Sequence, residues 1–356
     1  MKIIRAETWS IPVQFEIPYA VAYGDFERTT LVFLRLETDT GLRGYGSAGC
    51  DAEVTGETDA TVIEALNVIA QPILIGADPF LHVSLLRQLR HAFGSQPSAL
   101  ATVDMALFDL LGRHLGLPLW KWFGGSCQRI LTSVTIGISA IAETLTSAAK
   151  CIQQGFRCLK IKGGQNVAAD IERVIRVREQ VGPDIALRFD ANQGYSVAEA
   201  IQFASATRAA RIEFLEQPTP AKEPHLLGQV RQMGLIPIMA DECLSDARSA
   251  LNLVQQKAVD LFNIKLMKSG GLLEALQIDA ISRAAGLGIM VGCMDESALG
   301  IAAGLHLALG CPAVKYADLD GHLGLIGDPA AGQLAIVDGY LEPPNEPGLG
   351  VVPIDN

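Results

Sequence analysis

An α/β fold built around a parallel barrel is the class this chain of 356 residues predicts. From about residue 130 onward, short apolar runs recur at near-constant spacing, and segments with helical periodicity lie between them. Residues 1 to about 125 follow a different rhythm, that of an α+β unit. Repeated strand-plus-helix units give parallel topology, and eight candidate strands suggest closure into a (β/α)8-type barrel, with an open doubly wound sheet as the alternative. The length suits two domains, or one large barrel with an attachment.

Taken in chain order, "TTLVFLRLETDTGLRGYGSAG" (29–49) reads as an antiparallel hairpin turning at Asp39, Thr40 and Gly41. Within it Gly44, Gly46 and Gly49 match G-x-G-x-x-G. A dinucleotide site is discounted, because an antiparallel strand precedes the motif and "CDAEVTGE" continues as loop. The expected use of these glycines is a mobile loop near a ligand. Helices are expected from about Thr58 and through "ATVDMALFDLLGRHLG" (101–116).

The barrel strands follow as "TSVTIGI" (132–138), "CLKIK" (158–162), "ALRFDAN" (186–192), "IEFLEQ" (212–217), "IPIMADE" (236–242), "LFNIK" (261–265), "LGIMVGC" (287–293) and "KYADLDG" (315–321). Helical patterns such as "ADIERVIRVREQVG" and "LLEALQIDAISRAAGLG" separate them and end near glycine. After residue 325 the rhythm stops, and a Gly- and Pro-rich tail is expected to pack back on the first domain.

Composition narrows the function classes. With 49% hydrophobic and 19% charged residues the chain is globular, not disordered. Its apolar stretches are interrupted well short of a membrane span, and the N-terminus lacks a signal-peptide core. A net charge of -11 argues against a nucleic-acid partner and favours cationic small molecules. Seven cysteines without a C-x-x-C pair suggest neither a disulfide framework nor a thiolate zinc site, so a cytoplasmic protein is expected.

Polar residues gather at the strand ends. Lys160 and Lys162 end the second strand, Asp190 and Asn192 the third, Glu216 the fourth, Asp241 and Glu242 the fifth, and Lys265 the sixth. In "DLFNIKLMKSGG", alternation puts Asn263 and Lys265 on one face of an otherwise buried strand. A lysine there is tolerated when it is paired or used.

In a barrel all these groups converge on one cavity. Asp190, Glu216 and Asp241 supply hard oxygen ligands suited to Mg2+, with Mn2+ as a substitute, and no histidine or cysteine joins them to favour zinc. A substrate carboxylate on the metal would make the adjacent Cα proton abstractable, the enediolate being stabilised by the metal charge. Lys162 and Lys265, four strands apart, can then exchange that proton on opposite faces, a racemisation or epimerisation.

The base lysine must have a pKa below the ordinary value of roughly 10.4. The metal, the Lys160 ammonium and desolvation all push that way. Lys268, beyond the strand, reads as structural or rim.

With "VDMALFDLLGRHLGLPLWKWFGG", "KIK", "DAN", "EQP", "ADE", "NIKLMKSGG" and a late "PGLG" in place, almost the whole chain resembles the muconate-lactonising-enzyme-like subgroup of the enolase superfamily. The resemblance implies a (β/α)7β barrel (126–323) under an α+β capping domain formed by residues 1–125 and the tail 324–356. It implies one Mg2+ per subunit on Asp190, Glu216 and Asp241, Lys162 and Lys265 as acid/base pair, and a homo-oligomer. Asn192 and Glu242 would support the site from behind. A Lys or His base with magnesium is general superfamily chemistry, and the seventh strand here carries no histidine.

Within the subgroup, "DLD" (318–320) resembles the D-x-D of dipeptide epimerases. Asp318 and Asp320 would hold the α-ammonium of a dipeptide, with Lys160, Thr135 and Met294 also lining the pocket. The loop expected to close over the site, "YAVAYGDFERTT" (19–30), places Tyr23 where Ala-Glu epimerases are expected to carry an arginine. Asp51 and Glu53 in a second loop and Asp295 after the seventh strand add negative charge, which suits a cationic side chain; a hydrophobic preference stays open. The alternatives are N-succinylamino acid racemisation or o-succinylbenzoate synthesis, a Schiff-base enzyme using Lys162 or Lys265, and a non-catalytic ligand-binding member.

Overall fold

The computed structural model describes residues 1–22 and 24–354. Strands Ile3–Val21, Gly24–Thr38 and Arg43–Gly49 form an antiparallel meander. The expected turn lies between Glu37 and its partner Arg43, with Gly41 at φ +81° in the left-handed region. Residues 19–21 and 24–30 are a correction: they are not a loop but the end of a long ladder, in which Tyr19 faces Phe26 and Val21 faces Gly24. The Tyr19 and Phe26 rings stack at 5.4 Å, which holds the hairpin tip together. Tyr23 lies outside the described residues.

The glycines of "GYGSAG" are a second correction. They sit in a strand packed on the helix Pro97–Leu115, where a Cβ on Gly46 would lie 2.0 Å from the Thr102 carbonyl oxygen and one on Gly44 2.4 Å from that of Ala106. Close backbone approach, not mobility, requires them. "CDAEVTGE" is not all loop either: Asp51 accepts a hydrogen bond from Glu53 N (3.0 Å) and starts a single helical turn, Ala52–Thr55.

Thr58 begins the next helix with a capping box. Pro97–Leu115 is buried from Ser98 to Gly112, sandwiched between the sheet and the barrel, and ends at Gly116 in the left-handed conformation.

All eight expected barrel strands are present: Val134–Ile136, Cys158–Lys162, Ala186–Asp190, Leu215–Glu216, Ile238–Ala240, Leu261–Lys265, Gly288–Gly292 and Val314–Asp318. They pair in parallel and in chain order. Thr132 bridges to Ala317, and Ser133 N donates to Ala317 O at 3.1 Å, which closes the ring between the first and eighth strands and excludes the open sheet. A helix follows every strand but the last. By alternation Met239, Leu261 and Met290 face inward, and with Phe214 and Tyr316 they fill the interior below the polar strand ends.

The tail returns to the N-terminal region. Leu325–Ile326 pairs with the first strand at Phe15 and Gln14, and Leu349 N donates to Asp109 on Pro97–Leu115 (2.8 Å). Two acids tie these parts to barrel helices. Asp104 accepts from Leu272 N (2.6 Å) and Leu273 N (3.1 Å), and Asp328 accepts from Ser297 Oγ (2.7 Å) and Ala298 N (2.8 Å). The cysteines form no disulfide, and among the described residues no single helix is long and apolar enough to cross a membrane.

Candidate active site

Parallel register brings the functional side chains to one rim. Lys162 pairs with Asp190, Asp190 with Glu216, Lys265 with Gly292, and Gly292 with Asp318. Period-2 alternation turns Lys160 and Lys162, Arg188 and Asp190, and Asn263 and Lys265 inward as pairs. Asp241 follows its strand directly.

Asp190, Glu216 and Asp241 are fully buried, and their ligand atoms lie within 4.8 Å of one another. Glu216 Oε2 and Asp241 Oδ2 make no hydrogen bond, only ion-pair contacts of 2.9 Å with Lys160 and Lys265. Three hard oxygen donors with open lone pairs inside a closed barrel fit a divalent metal of magnesium's preference.

The lysines surround this triad. Lys162 Nζ donates to Asp190 Oδ2 (2.7 Å), while Lys265, on the sixth strand, pairs with Asp241 on the other flank. Lys160 contacts Asp318 (2.7 Å), Glu216 (2.9 Å) and Asp190 (3.1 Å). Burial works to lower the Lys265 pKa, but Asp241, then Glu216 and Glu242, outweigh it and hold the group well above its ordinary value. The carboxylate cage by itself therefore does the reverse of the depression expected of a base.

The carboxylates divide in the same field. Burial raises Glu216 to about 8, helped by Asp190. In Asp190 and Asp241 burial is outweighed by the lysines, Lys162 and Lys160 for the first and Lys265 and Lys268 for the second, so both lie below the ordinary carboxylate range. Asn192 Nδ2 donates to Glu242 Oε1 (3.3 Å), so the two expected supporting residues meet behind the triad.

At the barrel seam, Asp318 accepts from Lys160 Nζ (2.7 Å) and Ser133 Oγ (2.6 Å), and Asp320 accepts from Thr135 N (2.6 Å). Burial opposes the Asp318 charge, but Lys160 brings its pKa to about 2; Asp320 is raised to about 6 by burial and by Asp318. Met294 is buried beside Asp295, which accepts from Tyr19 OH at 2.6 Å. Gly49 packs against the Asp295 carbonyl oxygen, bringing the segment that carries Asp51 to the same place. Burial raises Asp295 to about 6, and Asp320 and Asp51 add to the rise against the Tyr19 bond. Glu53 is exposed and does not join this group.

Further contacts escaped the sequence reading. Lys268 is buried, not at the rim, and donates to both the backbone and the carboxylate of Asp241. It sits on the single helical turn Leu266–Ser269, and its i+3 spacing from Lys265 was the available signal. Asn263 Nδ2 donates to Glu216 Oε1 (2.7 Å) through space left by Gly292, where a Cβ would lie 2.5 Å from Asn263 Oδ1. Gln217 Oε1 accepts from Asp241 N (3.0 Å). Cys293 stands at the end of the seventh strand after all, but its thiol donates to Asp318 O (3.2 Å) and not to the triad.

Residues 3–124 match the "Mandelate racemase / muconate lactonizing enzyme, N-terminal domain" family, and residues 143–356 match "Enolase C-terminal domain-like". The L-Lys-D/L-Arg epimerase of Desulforapulum autotrophicum is 41% identical over 83% of this chain and 84% of its own. Among solved structures, a substrate-liganded L-Ala-D/L-Glu epimerase from Bacillus subtilis superposes with a TM-score of 0.96 at 34% identity, covering 99% of each chain. A dipeptide epimerase from Methylococcus capsulatus, complexed with Mg and L-Arg-D-Lys, gives 0.94 at 38% identity over 99% of this chain and all (100%) of that one.

Proposed function

The chain belongs to the mandelate racemase/muconate lactonizing enzyme family, as an isomerase that epimerises dipeptides or amino-acid derivatives, and we propose that it is a magnesium-dependent dipeptide epimerase preferring cationic side chains. One observation carries this reading: Lys162 and Lys265 stand on opposite flanks of three buried carboxylates, with Asp318 and Asp320 at the adjoining seam.

A divalent cation on Asp190, Glu216 and Asp241 would supply the positive charge that stabilises electron density moving onto the substrate carboxylate as the Cα proton leaves. Asp318 and Asp320 bind the α-ammonium, which orients the C-terminal residue between the lysines. One lysine, as neutral amine, takes the Cα proton from one face; the other, as ammonium, delivers a proton to the opposite face. The roles exchange for the reverse direction. Each lysine then trades its proton with solvent, so solvent hydrogen enters the product.

Asp295 and Asp51 support a cationic pocket, and the Methylococcus capsulatus relative was crystallised with L-Arg-D-Lys. Incubation with Mg2+ in D2O against L,L-dipeptides tests the whole reading. Deuterium at the C-terminal Cα of Lys- and Arg-containing dipeptides is expected. Exchange confined to N-succinylamino acids would replace it by the sister racemase activity, and an unchanged Lys-over-Leu preference in Asp51→Ala and Asp295→Ala variants would remove the cationic pocket.

A further inference from the structure

Arg188 is a fully buried arginine that the proposed reaction does not use. It is 1% exposed, with its guanidinium against the rings of both Phe214 (5.5 Å) and Tyr316 (5.1 Å), which touch each other edge to face. A buried charge of this kind is retained only with full pairing. Its Nε donates to Glu213 Oε2 (2.8 Å), just before the fourth barrel strand. Its Nη1 points the other way, donating to Ala317 O (2.6 Å) and to Ser133 Oγ (3.1 Å).

A guanidinium has no acceptor, so toward Arg188 the Ser133 oxygen can only accept. The single hydroxyl proton is thereby sent to Asp318 Oδ1, 2.6 Å away. Arg188 also holds the carbonyl of Ala317, the residue before Asp318, and Ser133 N holds the same oxygen at 3.1 Å. Backbone and side chain of Asp318 are thus fixed together at the seam. Lys160 takes the other carboxylate oxygen. A carboxylate has about four lone-pair sites, so acceptor capacity remains for a ligand cation.

We propose that Ser133, oriented by Arg188, is a positioning residue that holds the Asp318 carboxylate ready for the substrate's free ammonium group. The inference rests on the reading that Asp318 binds that ammonium. Ser133 touches no substrate. With Ser133 on Oδ1 and Lys160 on Oδ2 the carboxylate is held at both oxygens and does not rotate, so binding finds the acceptor already aimed.

The test compares a dipeptide bearing a free α-amine with its N-acetyl counterpart in the magnesium-loaded enzyme. KM and kcat are measured for the first, and the inhibition constant for the second. Ser133→Ala is expected to raise the dipeptide KM by about tenfold, the loss of one hydrogen bond to a charged group, with kcat within about twofold. The N-acetyl constant is expected to stay where it was.

Asp318→Asn separates the two levels. If it weakens the dipeptide selectively while Ser133→Ala weakens both compounds equally, or neither, the positioning role is overturned and the ammonium reading stands. If Asp318→Asn fails to discriminate between them, the ammonium reading falls and the role of Ser133 falls with it.

Discussion

Lys265 and Lys268 hold one carboxylate from two sides, yet only Lys265 ends a barrel strand at the rim where a substrate carbon could lie. Lys265→Ala removes no ligand atom of the triad, and Lys268 still supports Asp241. The variant is expected to lose solvent-deuterium incorporation by roughly 10²–10⁴-fold, the range for one acid or base, while calorimetry still detects Mg2+ binding. Near-normal turnover would take Lys265 out of the chemistry. Asp190, Glu216 and Lys265 were legible in the sequence because barrel strands expose their last residues at a shared rim, so position along the chain already gives position in space. Ser133 and Asn263 were not: their importance lies in which carboxylate they reach across the barrel, and a two-residue period says only which face they occupy.

Among the elements, the strand Arg43–Gly49 and the helix Pro97–Leu115 depend on each other most directly. Gly46→Ala would set a methyl group 2.0 Å from a helix backbone oxygen, which no rotamer change can relieve. Overpacking of this kind costs about 1–3 kcal/mol, so a clear drop in melting temperature is expected; an unchanged melting curve would show that strand and helix separate easily. The eight barrel strands were legible because each couples an apolar run to a helical period before or after it. The ladder through residues 19–21 and 24–30 was not, because "GDFERTT" dilutes the alternation with polar residues and the strand is confirmed only by its partner. The glycine motif failed for the same reason: G-x-G-x-x-G records that backbone must come close, but not whether the close neighbour is a ligand or a helix.

For the whole molecule, the same fold that converges the carboxylates also stores acid groups in protonated form. Burial raises Asp104, Glu242 and Glu296 to about 7 and Glu216 to about 8, and it lifts the thiols of Cys50, Cys158, Cys243 and Cys311 to about 12. Between about pH 7 and 8.5 the unfolded chain has already released the carboxyl protons, which the folded chain gives up only within this window, and it begins to release thiol protons that the folded chain retains. The folded state then binds more protons, so stability falls as pH rises through this window.

The depressed groups do not reverse that trend. Lys162, Lys160 and the other ammonium groups hold Asp190, Asp241 and Asp318 low against burial, so their contribution is lost only on acidification below their ordinary carboxylate range. Burial lowers His306 and His322 to about 4, and their effect is complete once the unfolded histidines have lost their protons near pH 6.5. Magnesium adds an opposing dependence. Binding requires Glu216 as carboxylate, so affinity increases across the window, and mass action converts affinity into stability. Thermal melts in the metal-free buffer are expected to show a midpoint that declines from pH 7 to 8.5, with a magnesium-induced rise that is larger at pH 8.5 than at pH 7. A magnesium effect that shrinks with pH would mean that Glu216 does not lose a proton to bind the ion, and the triad would no longer account for the metal site.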